Sequence, residues 1–154
     1  MICIPCAKQR AIERQKNNTI TDLGCGDGRS LKAAFDRWQP AKFHCLGIDL
    51  DPANEPSVSP PFYFWAGDIT SSAMQWVRRG YYVAHGILDL LEPAAAVAIA
   101  TRMVELADYG AWIRVPDGYD FGPIDWAVQE AMGERSGRLV VDLIDGQVDC
   151  LVLF

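Results

Sequence analysis

Long apolar runs are missing from this sequence. No window approaches the ~20 apolar residues that a bilayer-crossing helix needs, and the apolar stretch 94–100 is short and followed by charge. A membrane protein is therefore not expected. Positive charge is scarce: 14 Lys and Arg against 20 Asp and Glu leave a net charge of -6. Non-specific nucleic-acid binding draws its free energy from neutralised phosphates, so a DNA or RNA partner is disfavoured, a local basic patch apart. Histidine occurs only twice, and Cys3 and Cys6 form a Cys-x-x-Cys with no second such pair. A structural zinc site takes four ligands, so no metal is expected and these thiols read as unliganded. The cysteines number five, and the N-terminal residues turn charged within a few positions (Lys8, Arg10, Glu13, Arg14). No leader with an apolar core is read there, and an odd thiol count fits a reduced, cytoplasmic setting.

The 154 residues fit one domain. Residues 7–17 read as a polar amphipathic helix, and 1–18 as a helical extension ahead of a domain at 19–154. The pattern then alternates. Strands are expected at 19–23, 43–49, 62–66, 81–84 and 111–115, rich in β-branched and aromatic residues. Helices are expected at 30–38, 71–79, 93–108 and 122–132; Pro93 suits a first helical turn. The segment 52–61, with several Pro, Ser and Asn residues, reads as a loop. At the end, 138–144 and 147–154 flank Asp145-Gly146, a strong hairpin signal. Alternating strands and helices imply an α/β fold with a parallel sheet covered on both faces. The hairpin adds antiparallel strands, giving a doubly wound, mostly parallel seven-stranded sheet in three α/β/α layers.

In such a sheet, ligands bind beyond the carboxyl ends of the strands. Gly24, Gly26 and Gly28 follow the first strand, where glycine permits positive φ and close approach of a ligand. A dinucleotide site wants Gly-x-Gly-x-x-Gly; here the third glycine falls one residue early and Arg29 takes its place. Asp22, just ahead of the glycines, suits a ligand with a positive amino group better than a pyrophosphate. Asp49 ends the second strand, where a carboxylate can accept from ribose hydroxyls. Asp68 ends the third and can face an adenine amino group, or simply cap the following segment. Three acids on successive strand ends describe a nucleoside with a cationic tail.

These segments resemble the class I, Rossmann-like S-adenosylmethionine-dependent methyltransferases. TDLGCGDG (21–28) is similar to the first motif of that family, GIDLDP (47–52) to its second and AGDI (66–69) to its third. YGAWIRVP (109–116) resembles its fifth strand, and the closing hairpin its last two; the resemblance covers almost everything after residue 18. It implies S-adenosylmethionine as cofactor. Asp22, Gly24 and Gly26 would line the methionine part, with Cys25 a small filler within the motif. Asp49 would hold the ribose, Leu50 would pack on adenine, and Asp68 and Ile69 would address the adenine edge. His85 and Gly86 would lie nearest the methyl group, which makes His85 the candidate base. AHGILDLL (84–91) matches no specialised version of the family, so the acceptor stays open.

A small-molecule acceptor is the leading expectation, with Tyr119, Asp120 and Phe121 as pocket candidates. Methylation of a nucleic acid or a protein is the alternative, for which Lys8, Arg10, Arg14 and Lys16 form the one basic cluster. A non-catalytic cofactor-binding or interaction protein is a third reading, and a nicotinamide dehydrogenase fits the glycine spacing poorly. The aromatic run 62–65 reads as core, and Ser59-Pro60-Pro61-Phe62 as a loop entering a strand.

Overall fold

The strands are β1 (Ile20–Leu23), β2 (Cys45–Asp49), β3 (Phe62–Ala66), β4 (Arg79–His85), β5 (Ala107–Pro116), β6 (Arg138–Ile144) and β7 (Gln147–Leu153), and the helices α1 (Arg29–Trp38), α2 (Pro93–Leu106) and α3 (Gly122–Met132). The computed structural model describes residues 19–38, 45–57, 62–74 and 76–154. The expected helix at 7–17, the extension 1–18, Cys3, Cys6, the basic cluster and residues 43–44 and 59–61 lie outside the described residues.

One sheet runs in the order β3-β2-β1-β4-β5-β7-β6. β1 pairs in parallel with both β2 and β4, so the chain winds outward from β1 in one direction through β2 and β3, and in the other through β4 and β5. The switch falls between β1 and β4, and a crevice opens beyond their carboxyl ends there. β7 enters antiparallel between β5 and β6. The expected fold class is the observed one.

Burial explains why each element forms. β1 is wholly buried, as a central parallel strand covered on both faces must be. On one face, Ile20, Cys45, Val83, Trp112 and Leu151 pack with Leu31 and Ala34 of α1. On the other, Leu23, Ile48, Tyr82, Ala84 and Ile113 pack with α2 and α3. α2 buries Ala96, Ile99, Ala100, Met103 and Val104, the spacing of one helical stripe, and Pro93 sits in its first turn. The hairpin turn has Asp145 at φ 52° and Gly146 at φ 72°, the paired positive φ that an Asp-Gly turn supplies.

The expected helix at 71–79 does not form. Residues 67–74 and 76–78 make turns and irregular chain, and β4 already starts at Arg79. Asp68 Oδ1 accepts from the N–H and the hydroxyl of Thr70 at 2.8 and 2.7 Å, and Ser71 Oγ accepts from the Ala73 N–H. Short polar side chains here bind their own backbone in competition with a helix. Ile69 and Met74 anchor the segment in the core. A hollow of about 400 Å³, lined by Thr21, Leu46, Ile48, Trp65, Met74 and Tyr82 among others, lies over this part of the sheet.

The aromatic run also departs from expectation. Phe62 and Phe64 pack inward beside α1's core, while Tyr63 and Trp65, on the other face of this edge strand, are exposed. Strand alternation separates the two pairs. Elsewhere, strand five extends over 107–116, longer at both ends than expected, and 52–57 forms a 3₁₀ turn within the loop.

Candidate functional site

The turn after β1 is built by glycines in the left-handed region: Gly24 at φ 67°, Gly26 at 50° and Gly28 at 84°. A Cβ on Gly24 would come within 2.6 Å of Ile87, whereas one on Gly26 would meet nothing within 4 Å. Gly24 thus permits close packing against the segment after β4, and Gly26 leaves open space above the turn. The Cys25 N–H donates to Ile48 O at 2.9 Å, tying the turn to β2. Its thiol is buried with the α1 core, and Gly47 makes room for it, since a Cβ there would lie 2.6 Å from Cys25 Sγ. Cys25 therefore packs the underside of the turn and lines neither cavity described below.

Asp22 lies under this turn with 0% exposure. Ser30 Oγ, from the first turn of α1, donates to its Oδ2; its Oδ1 is buried with no partner among the described residues. Burial, with the nearby charge of Asp49 adding to it, pushes the carboxyl up to about 7, against the opposing hydrogen bonds from the Ser30 hydroxyl and the Leu31 backbone. Asp49 Oδ2 accepts from the Gly26 N–H at 2.8 Å and Oδ1 from the Asp51 N–H at 2.9 Å. Each oxygen keeps lone-pair capacity beyond those bonds.

Two cavities flank the turn. Gly24, Asp49, Leu50, Gly67, Asp68, Ile69, Ile87 and Leu91 line a narrow cleft of about 100 Å³. Leu50 is 73% exposed, an apolar side chain held at the rim. The second cavity, about 490 Å³, lies between the start of α1 and the carboxyl ends of β4 and β5; His85, Gly86, Arg114 and Gln147 form one wall and Asp27, Arg29, Ser30 and Ala33 the other. The His85 ring sits edge-on to Trp112 with centroids 4.3 Å apart, and its Nε2 is buried with no partner among the described residues. Burial first, and then the Arg114 charge, pushes His85 down to about 4, so it is neutral at physiological pH.

The structure therefore gathers Gly24, Asp49, Leu50, Asp68 and Ile69 on one cleft, sets Gly26 and Asp22 beside and beneath it, and puts His85 on the neighbouring cavity. Tyr119, Asp120 and Phe121 do not join either. Tyr119 and Phe121 pack against the core on the α2 and α3 face, away from α1, and the exposed Asp120 accepts from the Gly122 N–H. Ile87, Leu91, Arg114 and Gln147 were not anticipated. Arg114 had a signal, a lone cation near the carboxyl end of an apolar strand. Gln147 had none, since only strand pairing carries it there.

A mostly parallel sheet of this order, closed by the antiparallel β7 insertion and carrying a glycine turn and an acid at successive strand ends, is the fold of the class I S-adenosylmethionine-dependent methyltransferases. Solved structures share it. A TehB-like methyltransferase from Corynebacterium glutamicum aligns with a TM-score of 0.64 and 16% identity over 97% of this chain and 98% of that one. An O-methyltransferase family protein from Burkholderia thailandensis aligns at 0.70 and 11% over 96% and 56%. Magnesium protoporphyrin IX methyltransferase from Synechocystis, solved with S-adenosylmethionine bound, aligns at 0.62 and 13% over 96% and 74%. In sequence, the chain is 29% identical over 96 residues to trans-aconitate 2-methyltransferase of Escherichia coli; the match spans 52% of this chain and 37% of that protein. No protein-family profile matches.

Proposed function

We propose that this chain is an S-adenosylmethionine-dependent methyltransferase acting on a small molecule. The observation that carries the reading is the unpartnered, buried oxygen of Asp22 under a glycine turn whose upper side is open. A buried carboxylate oxygen without a donor is costly, and a ligand ammonium arriving over Gly26 would satisfy it. Asp49, whose Oδ2 accepts from the Gly26 N–H, would hold the ribose hydroxyls, and Leu50, Ile69, Ile87, Leu91 and Asp68, which line the narrow cleft, would hold the adenine.

When bound, the cofactor would supply an electrophilic methyl group for the acceptor's lone pair. The protein's part is orientation, which can supply roughly 7–11 kcal/mol of the barrier. The cavity beside Gly86 holds the acceptor in line. His85, kept neutral by its surroundings, takes the acceptor's proton where one must be lost.

Calorimetric titration with S-adenosylhomocysteine tests the cofactor site. Saturable binding is expected, weakened at least tenfold in Asp49→Ala, in keeping with roughly 1.5–3 kcal/mol for a hydrogen bond to a charged group. No heat with the unaltered protein overturns the reading. For His85, the rate at saturating cofactor should hold as pH falls through 6 and decline only near pH 4, the limb vanishing in His85→Gln. An unchanged rate and profile in that variant would remove His85 from the chemistry.

A further inference from the structure

Resting on that reading, we infer that the acceptor carries a carboxylate and that Arg114 anchors it. Arg114 stands on the wall of the second cavity beside His85, Gly86 and Gln147. Its guanidinium is fixed from behind. Nε and Nη2 donate to the two oxygens of Asp149, each at 2.7 Å. Asp149, only 8% exposed, is itself held by Trp112 Nε1 at 3.1 Å, and Trp112 lies 5.3 Å from the guanidinium carbon. A guanidinium has five N–H donors, so three remain, two of them side by side on the Nη1–Nη2 edge that the Asp149 pair already orients.

Arg114 and Asp149 face each other in the β5–β7 register, and a cross-strand ion pair alone would account for two of those donors. It does not account for the pair's place. The arginine borders a cavity of ligand size beside His85, and its aspartate is backed by a buried indole. A planar carboxylate matches the free fork. Arg29 adds a second cation at the rim; it is 90% exposed and already paired with Asp27 at 2.7 Å, so it contributes mainly to the field. Asp27 is the one acid among the residues lining this cavity, and with the chain's net charge of -6 it opposes a doubly charged phosphate more than a singly charged carboxylate.

The test is calorimetry on the protein, with and without saturating S-adenosylhomocysteine, against acetate, butyrate, benzoate and cinnamate, their neutral amides, and inorganic phosphate. At least one carboxylate should bind saturably and its amide should not. Arg114→Gln should weaken that binding at least tenfold and Arg114→Lys less. Because Arg114→Gln strands Asp149 and can disturb folding, Gln147→Glu is the second variant. Gln147 is exposed at the start of β7, and a negative charge there should also weaken the carboxylate at least tenfold, with an unchanged melting temperature. Equal binding of acid and amide, binding of phosphate alone, no binding of any carboxylate, or carboxylate binding indifferent to both variants each overturns the proposal. Carboxylate binding without any heat from S-adenosylhomocysteine would instead overturn the cofactor reading and leave the anion site standing.

Discussion

Asp22 places a carboxyl where no water reaches it, and its stability follows from the direction of its shift. Its folded pKa of about 7 lies above the ordinary carboxyl value of 3.8. The folded state therefore binds this proton more tightly than the unfolded state does. That contribution is fully present below about pH 4 and is lost as pH rises through 7. At pH 8 the ligand-free protein carries a buried charge that its hydrogen bonds offset only in part. Asp22→Asn removes the charge and keeps the shape. It should raise the melting temperature at pH 8 by a few degrees, with roughly 2–4 °C for each kcal/mol in a domain of this size, and the gain should vanish near pH 4. The same variant should lose at least tenfold in affinity for S-adenosylhomocysteine. A variant less stable than the unaltered protein at pH 8 would show that the charge is already compensated.

At the scale of elements, the least obvious support is at the end of α2. Arg135, just beyond α3, donates from Nη1 to Val104 O at 2.7 Å and from Nη2 to Ala107 O at 2.6 Å. Its guanidinium also lies 3.4 Å from the centre of the Phe154 ring. One side chain thus satisfies carbonyls at a helix C-terminus, where a cation is also favoured by the helix dipole, and fastens α2 to the last residue of the chain. Arg135→Ala should lower stability by about 2–3 kcal/mol, read as a reduced midpoint in urea with an unchanged slope; Arg135→Lys should recover part of it. A loss below about 0.5 kcal/mol would mean that water replaces both bonds. By contrast, the segment between β3 and β4 has no helix to fasten. The helix expected at 71–79 gives way there to bonds from the Thr70 and Ala73 N–H groups to the side chains of Asp68 and Ser71.

Across the whole molecule, the cleft draws Gly24, Asp49, Asp68 and Ile87 from four separate segments, so only the folded chain can present it. A ligand that binds the folded state alone stabilises it by mass action. S-adenosylhomocysteine at a hundred times its dissociation constant should add about 2.7 kcal/mol, or roughly 5–10 °C in melting temperature. An unmoved transition at that concentration would contradict a site built this way. No helix among the described residues is long and apolar enough to cross a membrane, which agrees with the absence of long apolar runs.

Local chemistry was enough to read the strands, the glycine turn, the Asp-Gly hairpin and the acids at the strand ends, because each depends on near neighbours: β-branched runs, positive φ, or an acid closing a strand. Residues far apart in sequence met only through packing. Which cavity received Arg114, whether Tyr119 and Phe121 faced a pocket or the core, and how Gln147 came to stand opposite α1 were set by the insertion of β7 beside β5 and by the two faces of the sheet. Those outcomes depend on pairing over long separations and on which surface is the more favourable to bury, and neither leaves a periodic trace in the residues themselves.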